Sequence, residues 1–85
     1  ENKGTYAHTF EGRNYLLDQT LDQLENELEP HLFFRVSRKF YVNVNAIKDM
    51  ISYTNSRLKV KLNRFNDHDI IVARERVKDF KNWLE

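Results

Sequence analysis

Residues Phe33 to Asn45 read Phe-Phe-Arg-Val-Ser-Arg-Lys-Phe-Tyr-Val-Asn-Val-Asn, two aromatic-rich, β-forming runs either side of Ser37-Arg38-Lys39. The flanks have strand propensity and want burial. The break between them resists it, because two unpaired cations in a core would be very costly. The pattern predicts a β frame that holds a short cationic loop out to solvent. Such a loop suits a polyanion.

Length limits what the frame can be. The chain has 85 residues, enough for one domain over residues 1–85. A fold of this size buries roughly 60–65% of its unfolded surface, so its core is modest. Eleven aromatics are available to fill it. There is no cysteine, which excludes disulfides and thiolate metal sites and fits a reducing cytoplasm, the location assigned here. No apolar run reaches the roughly 18 residues of a membrane helix, and none reads as a secretory signal.

The net charge of +1 hides an asymmetry. Residues 1–30 carry seven acids against Lys3 and Arg13, a balance of −5. Residues 31–64 carry eight bases against Asp49, a balance of +7. One face should therefore be more basic than the whole chain and should meet an anionic partner. Lysines along a sheet edge, kept for solubility, would produce a similar count.

Short elements follow in quick succession. Thr5–Phe10 and Tyr15–Asp18 read as strands around Glu11-Gly12-Arg13-Asn14, with Gly12 available for positive φ. Leu21, Leu24 and Leu28 then share one helix face, Thr20 and Gln23 match a capping box, and Pro30 ends the run. The expected helix is Leu21–Glu29, its acidic face in water. Leu32–Val36 and Phe40–Asn43 read as strands, Val44–Asp49 as a helical turn, and Met50–Thr54 and Leu58–Leu62 as a hairpin. Leu58, Val60 and Leu62 alternate with Lys59, Lys61 and Asn63. A turn at Asn66-Asp67-His68 precedes the strand Asp69–Val72. The last helix, from Arg74, aligns Val77, Phe80 and Leu84 with Trp83 beside them. Phe33, Phe34, Tyr41, Phe80 and Trp83 read as core. The fold class is mainly β with short flanking helices.

Catalytic chemistry finds no foothold. His8, His31 and His68 sit on different elements without metal-ligand spacing. No nucleophile elbow, phosphate cradle or zinc pattern occurs. The expectation is a protein that is not an enzyme, with no cofactor and no metal.

The order of these motifs resembles the LytTR DNA-binding domain of bacterial response regulators. That family shows a Phe-x-Arg-x-His-Arg-Ser-Tyr-x-Val-Asn run followed by Ile. Here Phe34-Arg35-Val36-Ser37-Arg38-Lys39-Phe40-Tyr41-Val42-Asn43 is matched, with Ile47 beyond. Gly4-Thr5-Tyr6, Glu11-Gly12-Arg13-Asn14-Tyr15, Leu21-Asp22-Gln23-Leu24 and Val72-Ala73-Arg74 fit further family motifs in the family's order. Three positions depart: Ser37 stands for the usual loop histidine, Lys39 for the loop serine, and Ala73 for a serine that would cap the last helix. No base preference therefore carries over.

The resemblance implies a multi-sheet β domain that reads double-stranded DNA with loops in successive major grooves. It implies a homodimer on tandem sites, no membrane, and a role in transcription within a two-component system. It also implies that a first strand and a receiver domain precede these residues in a longer response regulator. The positions matching its contacts are Asn2 and Lys3, the loop Ser37, Arg38 and Lys39, and Arg74. Arg57, in a hairpin turn, is assigned as a further phosphate contact. Arginine can hold guanine O6 and N7 with two hydrogen bonds, so Arg38 and Arg74 are assigned to base reading. Lys39, Lys3 and Arg57 are assigned to phosphates, which fix register. Arg74 sits where the helix dipole opposes a cation by about 0.3–1 kcal/mol. Arg35, Lys59 and Lys61 are read as structural or solvated, and Asn43 as a partner of the backbone around the helical turn. The alternative is a protein-interaction module with a basic docking face. A third option, single-stranded RNA on a β platform, would need Tyr41 or Tyr53 exposed on the basic face.

Overall fold

The computed structural model describes residues 4–66 and 69–85. The expected strand Thr5–Phe10 ends earlier, as β1 (Thr5–His8), paired antiparallel with β2 (Asn14–Leu17). Thr9 and Gly12 close the turn between them, with Gly12 at φ 89° as its lack of Cβ permits. Helix α1 (Leu21–Leu24) has the predicted capping box: Gln23 N donates to Thr20 Oγ1 and Thr20 N to Gln23 Oε1. The helix is shorter than the expected Leu21–Glu29. Beyond Leu24 the chain continues as tight turns, with Glu27 N and Leu28 N both donating to Leu24 O. Glu25 and Glu29 repel four residues apart, no cation meets the negative helix end, and Pro30 stops propagation. Leu21, Leu24 and Leu28 are all half-buried, as their shared face requires.

Strands β3 (Phe33–Arg35) and β4 (Tyr41–Asn43) form a second antiparallel pair. A 3-10 turn at Val44–Ala46 follows, capped by Asn43 Oδ1, which accepts from Asn45 N at 2.8 Å as expected. Ile47 leaves this turn and opens β5 (Ile47–Tyr53), so the first half of the anticipated helical turn Val44–Asp49 is found and its second half is strand. Strands β5, β6 (Arg57–Leu62) and β7 (Ile70–Val72) make a three-stranded antiparallel sheet with β6 central. Of the expected turn 66–68, Asp67 and His68 lie outside the described residues. Helix α2 (Val77–Leu84) is preceded by a 3-10 turn at Arg74–Arg76, so the regular helix starts three residues later than expected. Ala73 offers no side-chain cap there.

The core lies where the second and third sheets meet under α2. Val36, Val42, Val60, Ile70, Val72 and Phe80 are buried. Register explains which aromatics join them. Phe34 pairs with Val42 across β3–β4 and shares its inner face, while Phe33, Arg35, Tyr41 and Asn43 face the other way. Hence Phe34 packs on Phe80 and Trp83, with ring centroids 5.5 and 5.2 Å away. Phe33 and Tyr41, expected in the core, are half-buried and stand outside the buried cluster. Trp83 Nε1 donates to Pro30 O at 2.8 Å and ties α2 to the turn before β3. The β1–β2 hairpin adds no buried side chain and leaves Tyr6, Tyr15 and Leu16 exposed.

The turn joining β5 to β6 places both Asn55 (φ 59°) and Ser56 (φ 63°) in the left-handed region. Its twist suits a tight antiparallel hairpin, but serine fits that conformation poorly. Ser56→Gly is expected to stabilise the fold by about 0.5–1 kcal/mol. The check is thermal unfolding, where a rise of roughly 2–8 °C is the predicted sign and size for a domain this small.

Tyr41 supplies a second test. Its hydroxyl is buried with no hydrogen-bond partner among the described residues, and Arg35 stands over the ring, 5.6 Å from its centroid. Burial is the main cause that pushes the Tyr41 pKa up. The neutral phenol is therefore favoured in the folded state. Its contribution is intact below the ordinary tyrosine range near pH ~10 and is lost as pH rises through that range. Tyr41→Phe should melt no lower than the parent at neutral pH, since it removes an unsatisfied hydroxyl. It should also lose less stability than the parent between about pH 9 and about pH 11.

Candidate nucleic-acid interface

The cationic loop is closed by backbone bonding at its base. Val36 N donates to Phe40 O at 3.0 Å, which leaves Ser37-Arg38-Lys39 as the tip. Ser37 Oγ accepts from Lys39 N at 3.2 Å and tightens it. Arg38 and Lys39 are exposed, as the cost of burying cations requires. Arg35 turns neither to solvent nor simply to the neighbouring strand. Its Nε donates to Ser37 O, its Nη2 to Arg38 O, and its Nη1 pairs with Asp22 Oδ1 at 2.6 Å. The hydrogen bond that Arg35 donates to Asp22 is the main cause that raises the Arg35 pKa, so its charge persists.

The C-terminal segment is bound to the same loop. Ala73 N donates to Val36 O at 3.1 Å, and Arg76 Nη1 to Arg35 O at 3.3 Å. Arg74, the next residue after Ala73, is therefore held beside the loop and is exposed. The third contributor is the β5–β6 turn. Arg57 donates from Nε to Thr54 O and from Nη2 to Thr54 Oγ1, and its guanidinium lies 5.1 Å from the Tyr53 ring centroid. It braces its own turn while remaining at the surface.

These three segments border one shallow, open cleft of about 880 Å³. Ser37 and Lys39 line it from the loop, Asn55 and Arg57 from the hairpin turn, and Arg74 and Glu75 from the C-terminal segment. Four of the residues selected from sequence thus meet at one surface. Arg38 lies on the same loop but does not line the cleft. Asn2 and Lys3 lie outside the described residues. Asn55 was not selected from sequence. Its signal was an asparagine at a tight hairpin turn, a place that favours positive φ and projects a side chain outward.

The cleft is basic, with a counterweight. Lys39, Arg57 and Arg74 line it together with Asp69 and Glu75. Asp69 is met by Lys59 at 3.7 Å, which offsets its charge. Among the described residues, no carboxylate forms an ion pair with Arg38, Lys39 or Arg74. On β6, Arg57, Lys59 and Lys61 occupy alternate positions and so share the outer sheet face, opposite buried Val60. Lys59 is half-buried, 5.1 Å from the Tyr53 ring centroid. Among the described residues no group of His, Asp or Glu could hold a metal ion, and no helix is long and apolar enough to cross a membrane.

Comparison with known proteins defines the class. The family model of the LytTr DNA-binding domain matches residues 1–85, and the chain belongs to that family. The transcriptional regulatory protein YpdB of Escherichia coli K12 is 29% identical over 82 residues, covering 96% of this chain and 33% of the relative. YpdB of Shigella flexneri matches equally well. The chain thus spans about a third of the length of these relatives. The LytTr DNA-binding domain of a Bacillus cereus chain described as a response regulator superposes with a TM-score of 0.84 at 26% identity, covering 99% of this chain and 74% of that one. The multi-sheet β class expected from sequence is the class found.

The uncapped start of the 3-10 turn that leads into α2 gives a prediction at this surface. Ala73 has the extended backbone of a cap, with φ −58° and ψ 143°, and no side-chain oxygen to serve it. Ala73→Ser should stabilise the fold by about 1 kcal/mol. Chemical denaturation would show this as a higher midpoint with an unchanged slope.

Proposed function

We propose that this domain binds double-stranded DNA in a sequence-specific way, through loops that enter successive major grooves along one side of the duplex. The observation that carries this reading is the convergence of Ser37, Lys39, Asn55, Arg57 and Arg74 at one open cleft, with Arg38 on the same loop and with Arg38, Lys39 and Arg74 unpaired by carboxylates among the described residues. Family membership supports DNA as the partner. In this reading Arg38 and Arg74 face base edges, while Lys39 and Arg57 grip phosphates. Asn2 and Lys3 extend the contact at the N-terminal turn. Asn55 joins the site as a donor and acceptor suited to adenine.

The wider role is part of the same proposal, and the relatives, being transcriptional regulatory proteins, support only its regulatory part. In this reading residues 1–85 are a single module within a cytoplasmic two-component regulator that carries a receiver domain. Binding as a homodimer on tandem sites belongs to the same proposal. A second reading, a protein-docking module, has one observation in its favour. Tyr6, Phe10, Tyr15 and Leu16 are exposed on the β1–β2 hairpin and its turn, at 46%, 52%, 49% and 67%. An apolar group of this kind marks a protein contact more often than a nucleic-acid one. It shares no residue with the cleft lining, so the two readings concern different surfaces.

The deciding experiment is selection of duplexes from a random library, followed by affinity measurement across salt. Neutralisation of about five phosphates predicts a log–log salt slope near −4 to −5. Lys39→Ala should weaken all sequences evenly and reduce that slope by about one. Arg38→Ala and Arg74→Ala should each relax preference at one position, by about 1–3 kcal/mol. Enrichment of no sequence by the parent would overturn the proposal. Parent-like behaviour of Arg38→Ala on both selected and scrambled duplexes would remove Arg38 from the site.

A further inference from the structure

The side chain of Arg35 points three ways at once. Its Nε donates to Ser37 O at 3.3 Å, its Nη2 to Arg38 O at 3.0 Å, and its Nη1 to Asp22 Oδ1 at 2.6 Å. Two of these acceptors are backbone carbonyls of the cationic loop. The third is a carboxylate on α1, 13 residues earlier in the chain. The Arg35 carbonyl in turn accepts from Arg76 Nη1, beside the segment that carries Arg74. One residue thus links α1, the loop tip and the C-terminal segment.

The loop needs such a link. Its tip bears two adjacent cations that repel, and neither Arg38 nor Lys39 is buried. Without a fixed partner its carbonyls would be solvated and its backbone free, and DNA binding would have to order it. A planar guanidinium can bridge three acceptors in different directions, whereas a lysine ammonium is a point charge on a flexible stem. Asp22 holds the fork from behind, and the bond is charge-assisted. The Arg35 side chain is only 18% exposed, so little of it is presented to a ligand.

We propose that Arg35, braced by Asp22, is the positioning residue of the base-reading loop: it pre-orders Ser37–Lys39 without touching nucleic acid. The inference rests on the DNA-binding reading above. Its consequence is selective. Loss of Arg35 should blur sequence preference, because a loosened loop still attracts phosphates but no longer aims Arg38 at a base edge.

The test uses the full chain and two duplexes, the winner of random-library selection and its scrambled counterpart. Affinities are measured across salt for the parent, Arg35→Gln, Arg35→Lys and Asp22→Ala. Arg35→Gln should lower the selected-to-scrambled affinity ratio by about tenfold, with affinity for the scrambled duplex changed by less than about threefold and the salt slope unchanged. Arg35→Lys keeps the charge and should not restore the ratio. Asp22→Ala should lower it by about threefold, because the fork loses its brace but keeps its loop acceptors. Amide hydrogen exchange at Arg38 and Lys39 should quicken in Arg35→Gln while β5, β6 and β7 keep the parent rate, which separates a loosened loop from a destabilised fold.

An unchanged ratio with parent-like loop exchange overturns the inference. A salt slope reduced by about one unit overturns it too, by assigning Arg35 to a phosphate. Should Arg35→Gln fail to fold, Asp22→Ala decides by the same readouts. A parent that prefers no duplex brings down the DNA-binding reading and this role with it. A parent that prefers one, matched by an Arg35→Gln that prefers it equally, brings down the positioning role alone.

Discussion

Val36 joins the core to the surface that faces a ligand. Its side chain is fully buried among Val72, Phe80 and their neighbours. Its N–H donates to Phe40 O and closes the cationic loop, and its carbonyl accepts the Ala73 N–H. Core packing therefore sets the height of the loop, and one backbone hydrogen bond sets the place of Arg74 beside it. Among the described residues six hydrophobic side chains are buried, and Val36 is the one of them that stands at the base of the loop. The flanking residue Arg35 is bonded to the loop carbonyls, and Arg76 is bonded back to Arg35. The site is a collar of polar bonds around a single buried valine.

Electrostatics follow the same plan. The acids of residues 18–29 stay exposed before, on and after α1, and among the described residues Asp22 is the one of them that pairs with a base, Arg35. Lys59 and Asp69 form the other ion pair among the described residues. Ion pairs whose acid partner is exposed to water contribute little to stability by themselves. Their effect is spatial: they engage Arg35 and Lys59 while Arg38, Lys39 and Arg74 keep their charge toward solvent. A surface that leaves cations unpaired, among the described residues, on two separate segments is suited to an extended anion rather than to a small one.

Much of this was legible from residue order. The alternation Leu58, Val60, Leu62 against Lys59 and Lys61 forced a strand with one buried face, and Val60 is buried while Lys61 is exposed. Thr20 and Gln23 made the capping box their spacing required. Local patterns were weaker where several effects competed. The run Leu21–Glu29 has the leucine period of a longer helix, yet clustered acids and Pro30 leave a single regular turn. Ile47 reads from sequence as part of the helical turn Val44–Asp49, and pairing with Leu62 across β5–β6 makes it the start of a strand instead. Tyr41 looks like core by composition, but the β3–β4 register turns it to the Arg35 face. Asn55 carries no signal in residue order beyond its turn, because its importance lies in what stands next to it in space.

The sequence by itself determined that strands of alternating polarity would hold Arg38 and Lys39 out of the core, because burial of apolar faces and exposure of charge are local demands. The convergence of the loop, the Asn55–Arg57 turn and Arg74 was decided only by tertiary structure. Those segments are up to 37 residues apart in the chain, and long-range packing around Val36, Val72 and Phe80 brings them to one side. The same holds for Arg35, whose partners in the loop follow within three residues but whose brace, Asp22, is reached only once α1 has docked.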